Sequence, residues 1–429
     1  MAARSKSWGR RIEKTAAESL KDLGPGLITG AADDDPSGIA TYSQAGAQFG
    51  YGLLWTQVFS YPLMVAIQLV SAHIGRVTGQ GLAKNLLAVL PRWVVLFLVG
   101  ILLLANIVNI GADLSAMAAG AQLVIGGGSH ILVIVFALIC VALQLFISYQ
   151  RYAEVLKWLT LSLFAYVGVI LLVHVDWPEA LLRLVWPPRL GTDELLTVVA
   201  LLGTTISPDL FFWQTSQEAE EVATTSAHAL KRTPRAARKQ FRRMRIDTLA
   251  GMAFSELISI VIIIATAATL HARGITNIQS AAEAAEALKP LAGRFASLLF
   301  ALGIIGTGLL SVPVLAGSAA FAVSEVRGWK EGLEYKPRQA ARFYAIIVGA
   351  TFIGVAMDWA NINPIKALFL SAVLNGVCAA PIMVAMMIVA NRPKIMGRFT
   401  ERAPLMILGW AAAVVMAVAS IAMLVSEFA

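Results

Sequence analysis

Hydrophobic residues in this chain do not alternate with polar ones. They run in blocks of about 20, the length needed to cross a bilayer as a helix, with short polar or basic stretches between them. Such blocks predict membrane-spanning helices, not the one-sided apolar stripes of a water-soluble bundle. Eleven are expected, beginning near residues 25, 53, 93, 130, 156, 195, 246, 292, 341, 363 and 403. The pattern divides into five spans over about 25–175, five more over about 195–390, and an extra helix over about 403–426. All of it forms one transmembrane domain, residues 23–429, after a basic segment at 1–22.

Composition agrees. Of the 429 residues, 58% are hydrophobic and 14% charged, against about 25% charged in soluble domains. Lysine and arginine fix the expected orientation. Of the 34, 28 fall in segments on one side: roughly 1–21, 76–92, 150–157, 221–245, 325–342 and 390–402. The positive-inside rule then predicts a cytoplasmic N-terminus and an extracytoplasmic C-terminus. The N-terminal segment lacks the apolar core and cleavage site of a signal peptide. The basic run "LKRTPRAARKQFRRMR" (230–245) is explained by topology and anionic lipid, not by nucleic acid. Cys140 and Cys378 lie in apolar runs and read as small core residues. The five histidines have no ligand spacing. No enzyme arrangement, cofactor or obligate protein partner is predicted; the bilayer is the expected surrounding.

Two spans are interrupted. The first carries "DDDPSG" (33–38), three acids followed by a proline and a glycine. A carboxylate at mid-bilayer costs about 2.5–3.5 kcal/mol, so these acids must face a cavity, a partner or an ion. Pro36 and Gly38 let the helix unwind, and unwound backbone at membrane depth must line an enclosed cavity. The sixth span, "LLGTTISPDLFFWQTSQEAEE" (201–221), is broken at Pro208. Paired breaks at the start of each five-helix half point to an inverted repeat with a central site. Asp33, Asp34, Asp35 and Asp209 make that site one for a cation.

The stretch "GPGLITGAADDDPSGIATYSQAGAQFGYGLLW" (24–55) resembles the first helix of the Nramp family of divalent-metal transporters. "SAHIGRVTGQGLA" (71–83) and "QRYAEVLK" (150–157) extend the likeness. The resemblance implies an all-α polytopic membrane protein with the LeuT-like 5+5 inverted repeat and broken helices 1 and 6. It also implies a metal site at Asp35, Gly38, Thr204, Ser207 and Asn375. Asp35 keeps the family's aspartate ligand. Gly38 stands where the family has asparagine, Ser207 where it has methionine, and Asp209 where it has histidine. Thr204 matches a position whose carbonyl faces the ion, and Asn375 aligns with a glutamine in the tenth span.

A methionine thioether favours transition metals. Its loss leaves an all-oxygen site, and loss of the asparagine is expected to enlarge the cavity, which suits a largely hydrated Mg²⁺. This pattern resembles the bacterial Nramp-related magnesium transporters, implying uptake of Mg²⁺, with Mn²⁺ also accepted, across the bacterial inner membrane. The third span places Asn106 and Asn109 where proton-coupled relatives carry acids, so uncoupled, potential-driven uptake is expected. Asp113, one turn away, keeps proton coupling open. Two alternatives stand: a proton-coupled Mn²⁺/Fe²⁺ importer, and a symporter of the same fold for an organic substrate.

Asp33, Asp34, Thr205, Asp209 and Glu256 are expected around the site or along the ion path. Asp209 could instead cap the second half-helix, and the threonine and serine hydroxyls could bond their own backbone. Glu218, Glu220 and Glu221 read as a solvated charge run at the cytoplasmic mouth. Gly303, Gly306 and Gly308 read as close helix packing.

Overall fold

The structure, a computed structural model, describes residues 29–30, 32–147, 161–188, 191–224, 230, 237–360 and 362–428. The basic N-terminal segment, "QRYAEVLK" and residues 231–236 of the basic run lie outside these. The regular structure described is helical. The principal elements are α1 (Pro36–Phe49), α2 (Leu54–Thr78), α3 (Arg92–Ile125), α4 (Ser129–Phe146), α5 (Phe164–Leu172) and α6 (Thr192–Thr205). They continue with α7 (Pro208–Thr224), α8 (Ala237–Thr269), α9 (Ala296–Arg327), α10 (Ala341–Asp358), α11 (Pro364–Ala390) and α12 (Ala403–Phe428).

Among the described residues, nine helical stretches are long and apolar enough to cross a membrane. The first expected span is not among them because its described part is divided at Asp34–Asp35. The fifth is not because residues 148–160 lie outside the description. Where an expected start lies among the described residues, the helix starts follow the hydropathy closely, except that α8 begins at Ala237 rather than near 246. Hydropathy marks only the apolar part of a helix. Here the backbone stays helical through the charged residues Arg242, Arg243 and Arg245 before entering the apolar layer.

The packing is reciprocal between the two halves. α1, in the first span of its half, packs on α8, the second span of the other; α7, in the first span of its half, packs on α2. α2 packs on α8 and α3 on α9, each helix against its counterpart. This exchange is what a two-fold inverted repeat requires. α3 and α9 form the central pair, with Gly308 of α9 accommodating Met117 of α3. The periphery is apolar: Phe97, Ile131, Leu138, Ile407, Val414 and Val418 are all exposed. In water they would be a liability; against lipid they are the expected surface. Cys140 and Cys378 are buried free thiols.

Candidate functional site

Both breaks are built alike. Proline opens α1 at Pro36 and α7 at Pro208, where its missing N–H costs nothing. The residue before a proline is driven out of helical geometry. Asp35 is accordingly extended, with φ −72° and ψ 171°. Upstream, residues 32–33 are helical and Asp34 bends. In the second break α6 ends at Thr205, Ile206 has φ −117° and ψ 58°, and Ser207 precedes Pro208. Two half-helices thus end, and two begin, near the middle of the molecule.

Asp35 is buried, and its partners are neutral. Oδ1 accepts from Ser37 Oγ at 2.6 Å and from the Gly38 N–H at 2.7 Å; Oδ2 accepts from Asn109 Nδ2 at 3.1 Å. Asn109 Oδ1 in turn accepts from Ser371 Oγ of α11 at 2.8 Å. On the other side, Ser207 donates to Asp209 in a short hydrogen bond, and Asn375 Nδ2 reaches Ser207 Oγ at 3.5 Å. Asn375 Oδ1 is buried without a partner. α6 and α11 come together through glycine: a Cβ on Gly203 would lie 2.1 Å from the Ala372 carbonyl oxygen. That contact brings Asn375 beside the second break.

Gly38 faces Thr204. A Cβ built on Gly38 would stand 3.1 Å from Thr204 Oγ1, 3.2 Å from Tyr42 Cε2 and 3.5 Å from Asp35 Oδ1. The structure therefore brings Asp35, Gly38 and Thr204 together across the breaks, with Ser207 and Asn375 paired beside the second. It corrects one expectation: the glycine does not leave an enlarged cavity. The Tyr42 ring and the Thr204 hydroxyl occupy the space an asparagine would use.

Asp113 Oδ2 accepts from Ser311 Oγ of α9 at 2.8 Å, while Oδ1 is buried and unpartnered. It lies within electrostatic range of Asp35 and Asp209. Asn106 is directed elsewhere, donating to Leu315 O and Ser318 Oγ and so tying α3 to α9. Thr205 bonds back to the carbonyls of Leu201 and Leu202, the ordinary role of a threonine in an apolar helix. Asp209 stands in the first turn of α7, where it accepts from Ser207.

Asp33 and Asp34 meet at Ser255 of α8, and Glu256 is held by Ser60 of α2. The Ser255 hydroxyl lies 2.6 Å from Asp33 Oδ2 and 3.0 Å from Asp34 Oδ1, and Ser60 donates to Glu256 Oε1 at 2.7 Å.

The two ends of the site differ. Beyond α1's C-terminal half lies a polar cavity of about 400 Å³, lined by Gln44, Gln48, Asp193, Thr197, Asn363 and Lys366. Gln44 is nine residues past Asp35, about 13 Å along the helix. Towards the N-terminal side, α2 and α7 are closed on each other. Ser71 donates to Phe211 O at 2.6 Å, and Thr29 donates to Gln214 Oε1 at 2.5 Å. Arg76 pairs with Glu218 and Glu221, and Glu220 accepts from the Leu333 N–H. The glutamates are thus not a solvated run, because Arg76 is itself buried and draws Glu218 in with it. Sequence alone gave no sign of this closure, as Arg76 and Glu218 stand 142 residues apart.

Two facing broken helices around a buried carboxylate, within reciprocally packed halves, define a secondary transporter of the LeuT-like fold. The chain belongs to the Nramp family: the family model described as natural resistance-associated macrophage protein-like matches residues 26–426. It is 26% identical over 406 residues to the divalent metal cation transporter MntH of Deinococcus radiodurans, covering 92% of this chain and 87% of that protein. It is 26% identical over 421 residues to MntH of Klebsiella pneumoniae subsp. pneumoniae, covering 94% of each. Among solved structures, the Eremococcus coleocola manganese transporter superposes with a TM-score of 0.71 at 17% identity, over 94% of this chain and 85% of that one. The nucleobase–cation symporter Mhp1 in a closed conformation gives 0.58 at 13% identity, over 94% and 92%. The two structural likenesses establish the fold.

Proposed function

We propose that this protein carries a hard divalent cation across the membrane by alternating access through the site at Asp35, Gly38, Thr204, Ser207 and Asn375. One observation carries the reading: Asp35 is a buried carboxylate set between two helix breaks, and its described side-chain partners, Ser37 and Asn109, bring no positive charge. Such a carboxylate calls for a cation. The half-helices ending at Asp33 and Thr205 leave main-chain carbonyls free to complete an oxygen shell.

The names of the relatives favour Mn²⁺ as the first ion to test. The residues extend the range to Mg²⁺, since serine, threonine and asparagine supply oxygen where a thioether would favour softer metals. The neutral Asn109 beside Asp35 supports uptake driven by membrane potential, which is worth about 2.3 kcal/mol per charge per 100 mV. A proton-coupled reading rests on Asp113, whose buried, unpartnered oxygen lies within range of Asp35. Family membership disfavours the organic-substrate symporter. The lysine and arginine distribution supports a cytoplasmic N-terminus and an extracytoplasmic C-terminus in the bacterial inner membrane. The cavity at Gln44 and Gln48 then opens outward, and the Arg76–Glu218 closure lies on the inner side.

The experiment is divalent uptake into proteoliposomes, with metal-sensitive and pH-sensitive dyes enclosed. Mn²⁺ and Mg²⁺ should enter under a negative potential without acidification, and Asp35→Ala should abolish both. Entry accompanied by acidification that Asp113→Asn removes would establish the proton-coupled reading instead. Uptake unchanged in Asp35→Ala would overturn the assignment of the site.

A further inference from the structure

We propose that the Tyr42 ring is the wall that sets the size of ion the Asp35 site accepts, admitting Mg²⁺ and Mn²⁺ and disfavouring Ca²⁺. The proposal rests on reading Asp35 and Thr204 as parts of a divalent-cation site. Tyr42 is among the largest side chains buried completely in the molecule. It stands on α1 four residues after Gly38, where a helix brings two side chains onto one face. A long helical side chain lies back over the turn before it. Gly38 has no side chain, so the ring of Tyr42 reaches the place one would fill.

That place is a shared point. A Cβ on Gly38 would lie 3.1 Å from Thr204 Oγ1, 3.2 Å from Tyr42 Cε2 and 3.5 Å from Asp35 Oδ1. Two oxygens, one from each helix break, and the edge of one ring therefore border the same small space. The oxygens can serve an ion or a water it retains; the ring carbon has no lone pair to offer. Even a bonded methyl carbon would be tight there. No water or further oxygen ligand fits between Gly38 and the ring.

The chemistry of the ions makes this wall selective. Ca²⁺ gathers about six to eight oxygens at about 2.3–2.6 Å, whereas Mg²⁺ is satisfied by an octahedron at about 2.0–2.1 Å. A side of the site that supplies no oxygen and does not yield favours the smaller shell. Tyr42 is held firm, because it is wholly buried on a helix packed along α8, and close packing leaves a buried ring little volume into which to retreat. The hydroxyl gives a separate observation. A buried tyrosine O–H ordinarily finds a partner, yet that of Tyr42 has none among the described residues. Hydrogen bonding does not account for a tyrosine here, which leaves the bulk of its ring.

The test is Mn²⁺ uptake by the full-length protein in proteoliposomes, with Mg²⁺ and Ca²⁺ as external competitors. In the wild type, half-inhibition should need at least about ten times more Ca²⁺ than Mg²⁺. Tyr42→Ala should bring the two concentrations to within about threefold, because the site can then expand. Tyr42→Phe keeps the ring and should keep the wild-type ratio. Should Tyr42→Ala not fold, Tyr42→Leu retains an apolar side chain without the ring and should move the ratio in the same direction. General damage to the fold lowers uptake without moving the ratio. A ratio unmoved in the alanine and leucine variants would overturn the proposal, and so would wild-type competition by Ca²⁺ equal to that by Mg²⁺. A shift in Tyr42→Phe as large as in Tyr42→Ala would also overturn it, by assigning the selectivity to the hydroxyl. Each of these failures leaves uptake dependent on Asp35, whereas uptake that survives Asp35→Ala would overturn the site itself.

Discussion

Asn109 grips Asp35 and is gripped in turn: its Nδ2 donates to Asp35 Oδ2 at 3.1 Å while its Oδ1 accepts from Ser371 Oγ at 2.8 Å. α1, α3 and α11 are thereby connected through one amide. The arrangement fixes which way the amide points, because an ionised Asp35 can only accept and so takes the amide's N–H. It also fixes the free lone pairs of Asp35.

Removing the amide should therefore impair transport more than folding. Hydrogen bonds to charged groups contribute about 1.5–3 kcal/mol, and 1.4 kcal/mol is a factor of ten. Asn109→Ala is expected to lower Mn²⁺ uptake about tenfold or more. Ser371→Ala, which only loosens the amide, should lower it less. Initial uptake rates in proteoliposomes, normalised to reconstituted protein, measure both. Equal losses in the two variants would mean that Asn109 acts through something other than its hold on Asp35.

The second break tests ion preference. Ser207 is buried, bonded to Asp209 and next to Asn375. Ser207→Met would place a polarizable sulfur where the wild type offers oxygen, and soft donors favour softer metals. Cd²⁺ should then compete with Mn²⁺ uptake at a concentration about tenfold lower, equivalent to ~1.4 kcal/mol, while Mg²⁺ competition weakens. Unchanged competition by both ions would remove position 207 from the selectivity of the site.

Much of this architecture was readable in the sequence, for definite reasons. Apolar blocks of membrane length give the spans. Pro36 and Pro208 give the breaks, because a proline sets the geometry of its own residue and the one before it. The expectation that Asp35, Gly38 and Thr204 share one site came from the resemblance. What escaped was side-chain direction and long-range pairing. Glu218 looks solvated until Arg76 is seen beside it. Gly38 suggests a void until Tyr42 fills it. Asn106 and Asn109 are three residues apart, yet one bonds α9 and the other Asp35. Periodicity cannot tell which neighbour a given helix face meets.

The close approach of α6 and α11 carries a stability prediction. A methyl at Gly203 would meet the Ala372 carbonyl oxygen at 2.1 Å and the Gly376 nitrogen at 2.5 Å, both backbone atoms that cannot rotate away. Overpacking of this kind costs about 1–3 kcal/mol. Gly203→Ala should lower the melting temperature of the detergent-purified protein and reduce uptake by displacing Asn375 from Ser207. Gly100→Ala is the control, since nothing lies within 4 Å of its added methyl. If Gly203→Ala melts with the Gly100 variant, α6 and α11 are not held at the distance described.

A pH dependence follows from Glu331, in the connection between α9 and α10. Burial, then the charges of Glu325 and Glu220, raise its carboxyl from 4.5 to about 8, against the opposing pull of Lys84. A raised folded-state value means the folded chain keeps a proton that the unfolded chain releases. The stabilisation is complete below about 4.5 and is lost as the pH climbs through about 8. Glu331→Gln fixes the group in a neutral form and removes that term. Between pH 5 and 8 the wild-type melting temperature should fall further than the variant's, by on the order of 2 °C. Lys84→Met should steepen the wild-type decline, because it removes a cation that favours the ionised form. Parallel curves for wild type and Glu331→Gln would show that Glu331 is already charged at neutral pH.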